Sequence, residues 1–418
     1  MALSGEAFDL LDHDLFRERA PWDIFARLQR EAPVYWHEEP DGPGFWNVTR
    51  YDDIVTVLKD YRTFSSEIRG SASIADYPTE ELDARRNFME LDPPRHAKYR
   101  GLLAKDFTPR SVLRYEEWLH GLIGPLVEAA VADGEFDVVE RLSAPIPIRV
   151  LGHLMGLPEE HLDRLVQLGD MMLVGSEPEY RLDDEFPDAD PEEYRFMPFG
   201  SPAALELCEI GRRYYADRRA RPEDDVMSLL VNAEIDGCPM SGGDLDNTFA
   251  LIVVAGNETT RMAIALGVLA LAQHPEQLAL LQSDPSLYAA ATEEIMRFAS
   301  PVWHFRRTAL VDTELAGTTI TAGDKVVVWF AAGNRDASKY PDPHRFDITR
   351  NPADSLTFGR GGPHFCLGAH LAKLELRVLL EELVPRVRSI ELAGEPERIR
   401  SNFSNGLKRL PVRVVPAA

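Results

Sequence analysis

Cysteine is scarce: three thiols, Cys208, Cys238 and Cys366, in 418 residues. So few exclude a disulfide framework, and each has to be explained singly. Cations are in deficit too, 45 Lys+Arg against 69 Asp+Glu, a formal charge of −24. That balance argues against nucleic acid or an anionic membrane surface as the main partner. No uninterrupted apolar run reaches the roughly 20 residues that span a bilayer. The acidic start MALSGEAFDLLDHDLF lacks the basic and apolar regions of a signal peptide. No sequence period repeats. These absences predict a cytoplasmic globular protein with no membrane span.

Apolar residues recurring at every third and fourth position predict helix over most of the chain. Two stretches differ. PVYWHE and GFWNVTRY, split by EPDGPG, read as a hairpin within 33–50. HFRRTALVDTELAGTTITAGDKVVVWF reads as strands within 303–330, with turns at Gly317 and Gly323. The expected fold is mainly α with small β-sheets, and the lack of any linker predicts one domain over 1–418. Residues 176–200 are rich in Pro, Asp and Glu and carry no helical stripe. They read as a solvated surface loop or as a lid over a binding site.

A long helix is predicted from the Ser241-Gly-Gly-Asp244 capping signature to the stop before His274-Pro275. It is apolar nearly all round and should cross the middle of the protein. Its one polar interruption is Ala255-Gly-Asn-Glu-Thr-Thr260. A Thr259 hydroxyl can bond the Ala255 carbonyl four residues back and bend the helix. The segment is either a kink with a satisfied polar cluster or an acid–alcohol pair, Glu258 and Thr259, that relays protons into a cavity.

A glycine-rich loop, Leu356-Thr-Phe-Gly-Arg-Gly-Gly-Pro-His-Phe-Cys366-Leu-Gly, then runs into the amphipathic stretch AHLAKLELRVLLEEL. A thiol at a helix N-terminus sits in the positive end of the dipole, which favours thiolate. Gly368 removes a Cβ beside the sulfur, so that a flat ligand can approach. A lone thiolate ligand suits haem iron. A phosphate cradle lacks the required glycine spacing, and His364, Cys366 and His370 lack a usual zinc spacing. An inert buried thiol stays open.

Four motifs in order resemble those of the cytochrome P450 family over essentially the whole chain. Ala255–Thr260 is similar to the oxygen-activation segment, and Glu294-Ile-Met-Arg297 to the E-x-x-R motif. Pro343-His-Arg345-Phe346 resembles the element that supplies that pair's third partner, Arg345, and the Cys366 loop resembles the haem-thiolate loop. Phe358 lies one residue further from Cys366 than the family pattern asks. The resemblance implies haem b ligated by Cys366, with Ala255, Phe358 and Gly368 beside it. The propionates would meet His96, Arg100, Arg307 and His364. Arg306 and Arg307 point to opposite faces of a strand, and Arg307 matches the family position.

The implied activity is that of a monooxygenase, with Glu258 and Thr259 delivering protons through ordered water. Electrons would come from NAD(P)H through a separate reductase and an acidic ferredoxin or flavodoxin-like donor. That donor would dock on the basic surface of Arg95, Lys98, Arg100, Lys105, Arg110 and Arg114, extended by Lys373 and Arg377. By family position the substrate pocket takes the 65–92 segment, Leu251, Val254, Ala255, Val302, Trp303, His304 and Phe403. It suits a hydrophobic small molecule. PVWHFRRTA and GGPHFCLGAHLA resemble members that hydroxylate terpenoids, steroids and branched or fatty acyl chains. A peroxide-driven peroxygenase and a non-catalytic haem protein are the alternatives, and a monomer is expected.

Overall fold

The long helix runs Gly242–Gln273 in the computed structural model, which describes residues 8–173, 177–179 and 182–417. Ser241 caps it: the side chain accepts from the Asp244 N–H and donates to its carboxylate at 2.7 Å. The helix stops at His274 because Pro275 has no N–H with which to extend it, and Pro275 opens the next helix instead. Helices Pro145–Met155, Leu162–Leu173, Ala203–Ala220 and Tyr288–Ala299 pack around it. By length and composition this helix could cross a membrane, but its most apolar window is 72% buried, so that surface is used inside the protein.

The two predicted strand groups meet in one five-stranded sheet, ordered Val34–His37, Phe45–Val48, Lys325–Trp329, His304–Ala309, Phe64–Ser65. Lys325–Trp329 joins them, parallel to Phe45–Val48 and antiparallel to His304–Ala309, with Val326 opposite Arg307. Gly317 and Gly323 take positive φ at the predicted turns. A third group was not expected. Val387–Leu392 and Pro411–Pro416 pair antiparallel, and Glu135–Asp137 pairs with the latter. Glu135–Asp137 is three residues long, and Pro411–Pro416 begins and ends on proline, so their strand signal is weak.

The acidic segment is more ordered than its composition suggests. Short turns form at Leu182–Glu185, Pro191–Tyr194 and Pro198–Gly200; Ser176, Tyr180 and Arg181 lie outside the described residues. Several of its charges are partnered: Glu177 accepts from the Arg400 backbone and Lys408, Glu185 pairs with Arg164 at 2.8 Å, and Arg195 with Glu81 at 3.6 Å.

Candidate active site

Between the middle of the long helix and the Cys366 loop lies a cavity of about 1670 Å³, its mouth included. Ala255, Gly256, Thr259 and Thr260 form one wall; Phe358, His364, Cys366 and Gly368 form the other. The exposed surface of Cys366 faces this cavity.

The longer loop is accommodated without losing Phe358. The Cys366 N–H donates to the Phe358 carbonyl at 2.9 Å, and the ring lies under Lys373 Nζ at 5.2 Å. Gly362 is required by contact, since a Cβ there would lie 2.1 Å from the Leu58 carbonyl oxygen. A Cβ on Gly368 would meet no protein atom and would project into open space. The helix dipole is not decisive for the thiol. Burial raises the Cys366 pKa above its ordinary value, against the Gly368 and Ala369 N–H groups and the Arg100 charge that lower it. Thiolate therefore needs a cation at the sulfur.

Four basic side chains from three distant segments meet at the cavity edge: His96 and Arg100 from helix Arg95–Ala104, Arg307 from its strand, and His364 from the loop. The rings of His96 and His364 are 4.2 Å apart. Burial and the neighbouring cations push His96 down to about 4 and His364 down to about 2. Burial brings Arg307 down to about 10. Both His364 ring nitrogens are buried without a partner, and no carboxylate pairs with any of the four among the described residues. Such a cluster is costly unless an anion completes it, and haem propionates fit that requirement. Arg306 points the other way, donating to the Ile74 and Ala75 carbonyls and to Asp76.

The acid and the alcohol do not share a wall. Thr259 lines the cavity and its hydroxyl donates to the Ala255 carbonyl at 2.8 Å, the predicted back-bond. Glu258 is fully buried on another face, because consecutive helical residues are about 100° apart. Its carboxylate accepts from Asn257 at 2.9 Å and from Arg261 at 2.5 Å; Arg261 also holds Asp170 of helix Leu162–Leu173 at 2.8 Å. Two buried carboxylates share one guanidinium, and burial holds Glu258 well above its ordinary pKa. Glu258, expected to act together with Thr259, does not line the cavity; it is held behind Thr259 by Asn257 and Arg261.

Of the pocket candidates, Leu251, Ala255 and Val302 line the cavity, and the 65–92 segment contributes Ser71, Phe88 and Met89. Four do not. Val254 is buried in the helix core. Trp303 packs against Phe16, Trp22 and Phe25 at ring distances of 5.2, 5.1 and 6.1 Å. His304 lies against Trp329 and Phe403, and Phe403 stands behind Phe305, which takes the wall position. For His304 strand alternation is the reason: Phe305 and Arg307 share the cavity face and His304 and Arg306 share the other.

Glu375 was missed. It lies in helix Ala369–Leu383, lines the cavity, is 2% exposed, and its Oε2 has no partner. Burial pushes it up to about 8 from an ordinary 4.5. Between those values the folded protein keeps a proton that the unfolded chain releases, so stability falls as pH rises through that window. Glu375→Gln is expected to remove that slope, on the order of a few kcal/mol across the window. Thermal midpoints of both proteins over the window check this; equal slopes contradict it.

Glu294 and Arg297 are fully buried and bidentate, with both N···O distances 2.7 Å. Arg297 also donates to the carbonyls of Asn334 at 2.7 Å and Pro343 at 3.0 Å. Asn334 in turn accepts from Leu356 N–H and donates to Thr357, so the pair anchors the start of the cysteine loop. Arg345 is not its third partner: its side chain is 65% exposed and, among the described residues, reaches only Asp347, at 4.0 Å. The nearest further cation is Arg350, whose Nε lies 3.5 Å from Glu294.

The expected basic surface is thinner than its composition. Arg95 pairs with Glu67, Lys98 with Asp236, Lys373 with Glu293, and Arg377 with Glu116 and Glu381. Arg100 turns into the cavity. Lys105 and Arg110 stay exposed without an ion pair among the described residues. Beside Arg110 in sequence, Leu113 is 54% exposed.

A lone thiol on the wall of a largely apolar cavity, beside cations that lack an anion, fits a haem-thiolate oxidoreductase. The chain belongs to the cytochrome P450 family, whose model matches residues 11–411, and is a monooxygenase-class enzyme of a family that holds haem through a cysteine thiolate. It is 39% identical to linalool 8-monooxygenase of Pseudomonas putida, over 98% of this chain and 99% of that protein. It is also 39% identical to a methyl-branched lipid omega-hydroxylase of Mycobacterium tuberculosis, over 93% and 90%. A Mycobacterium marinum cytochrome P450 solved in complex with pseudoionone superposes with a TM-score of 0.87 at 36% identity, over 98% of this chain and all of that one.

Proposed function

We propose that this protein hydroxylates a branched terpenoid or lipid-like small molecule, with Cys366 as the iron ligand and His96, Arg100, Arg307 and His364 holding the propionates. The carrying observation is the apolar lining that shares the cavity with the thiol: Phe88, Met89, Leu251, Ile252, Val302 and Phe305. Burying apolar surface against such a wall favours a hydrophobic substrate by about 25 cal/mol per Å². The likeness to proteins named for linalool and methyl-branched lipid supports the class. When bound, haem supplies dioxygen activation, one atom entering the substrate and the other leaving as water.

The chain's own part is to exclude water and to place protons. Thr259 Oγ1, held by the Ala255 carbonyl, keeps acceptor lone pairs toward the cavity. The Glu258–Arg261–Asp170 cluster lies one helix face away, where burial raises the Glu258 pKa. Thr259→Ala is expected to raise hydrogen peroxide released per NAD(P)H consumed severalfold while substrate affinity changes little; unchanged coupling sinks this role.

Electrons are proposed to come from a separate ferredoxin-type donor, docking where Lys105 and Arg110 remain free of acids. Raising ionic strength should then slow the first reduction step; a salt-independent rate rejects the site. The substrate class is tested by a spectral binding screen of terpenoids, steroids and branched fatty acids on the haem-loaded protein. A low-to-high-spin shift is expected with terpenoids or branched lipids. No shift with either class defeats the reading.

A further inference from the structure

A buried polar atom without a partner is costly, and each one asks what completes it. Among the described residues, three side chains of the active-site cavity carry such an atom: His364, Glu375 and Ser71. Propionates complete His364, and Glu375 lowers its cost by keeping a proton. Ser71 has neither remedy. It is 1% exposed, and its Oγ has no donor and no acceptor. Other hydroxyls on the wall spend their protons inside the fold: Thr259 donates to the Ala255 carbonyl and Thr357 to the Met296 carbonyl, both at 2.8 Å.

The segment that carries Ser71 is held in place. The Ser71 carbonyl accepts from the Arg306 N–H at 2.7 Å. Ser71 therefore sits beside the strand where Phe305 of the apolar lining gives way to Arg307 of the propionate cradle. On the opposite face of the strand, the Arg306 side chain donates to the Ile74 and Ala75 carbonyls at 2.9 and 3.0 Å and to Asp76 at 2.5 Å. Lys325, whose side chain is fully buried, adds the Ile74 carbonyl at 3.3 Å and Asp76 at 3.1 Å. A segment clamped by two buried cations cannot close in to give Ser71 another partner, so the hydroxyl is kept for a ligand. It can donate and accept but has no charge. That suits a neutral oxygen, while the cations nearby are taken by the propionates.

We propose that Ser71 Oγ is the polar anchor of the substrate, hydrogen-bonding a hydroxyl or carbonyl oxygen on an otherwise apolar branched molecule whose hydrocarbon body packs on Phe88, Leu251 and Phe305. This rests on the reading of the cavity as the site of a branched terpenoid or lipid-like substrate, and narrows that class to its oxygenated members. A site built to bond an oxygen discriminates against the analogue that lacks it, because the buried hydroxyl is then left unpaired.

The test titrates the full haem-loaded ferric protein with linalool, a branched alcohol, and with myrcene, the hydrocarbon of the same carbon skeleton, and reads Kd from the spin shift. Ser71→Ala removes one oxygen atom from the wall. It is expected to raise the Kd of linalool about fivefold and to leave that of myrcene nearly unchanged. The anchor is overturned if the variant binds linalool as the wild type does. It is equally overturned if both ligands weaken alike and haem is lost faster, which is what a bond from Ser71 to a propionate would give. In either case a wild-type spin shift with both ligands leaves the branched-substrate reading standing. A wild-type protein that responds to neither ligand refutes that reading and the anchor with it.

Discussion

Cys366→Ser is expected to abolish NAD(P)H-dependent hydroxylation and to remove the red-shifted ferrous–CO band of thiolate-ligated haem, while the protein still folds. The substitution exchanges one atom. The backbone bond from residue 366 to the Phe358 carbonyl, the Gly362 approach to Leu58 and the network through Asn334 are untouched. What changes is the donor. A thiolate donates electron density to iron and favours O–O cleavage, and an alcohol far less acidic than a thiol does not replace it. The propionate cradle is intact in the variant, so haem content should fall less than activity. An unaltered ferrous–CO spectrum would refute Cys366 as the ligand.

Arg297→Ala should be the most destabilising single change away from the cavity. It leaves Glu294, fully buried, without its bidentate partner, and removing one member of a buried ion pair costs about 3–5 kcal/mol. The Asn334 and Pro343 carbonyls lose a charged donor as well, at about 1–3 kcal/mol each where water cannot reach. Against a typical stability of about 5–15 kcal/mol, that is enough to prevent folding or haem loading. Arg345→Ala, at an exposed site, should stay within about 0.5 kcal/mol. Urea midpoints and haem per chain separate the two. Equal loss in both variants would restore Arg345 as the third partner; no loss in either would deny the pair its structural role.

Features set by local chemistry were legible in the sequence. The Ser241 cap, the Pro275 stop, the Thr259 back-bond and the Gly317 and Gly323 turns each depend on residues within a few positions. The opposition of Arg306 and Arg307 follows from strand alternation, and the same alternation, carried further, would have put Phe305 on the wall and His304 behind it. Glu375 had a readable signal as well: a carboxylate in line with Leu371, Val378 and Leu379 on the buried face of its helix. Other features depend on distant segments. The join of the two strand groups, the pairing of Glu135–Asp137 with the C-terminal strand and the neutralisation of Arg95, Lys98 and Lys373 by acids far off in the chain have no local signature. Glu258 lies between these cases. A helical wheel separates it from Thr259, but only the tertiary fold reveals the Arg261 and Asp170 that hold it.

The account stands most directly on the fate of dioxygen. Haem-loaded protein, a ferredoxin–reductase pair, NAD(P)H and a terpenoid or branched lipid chosen by its spin shift are incubated under isotopically labelled dioxygen, and the product is analysed by mass spectrometry. One labelled oxygen atom per product molecule is the predicted result. Product that carries no label, or that forms only when peroxide is supplied, would contradict a monooxygenase built around Cys366 and Thr259.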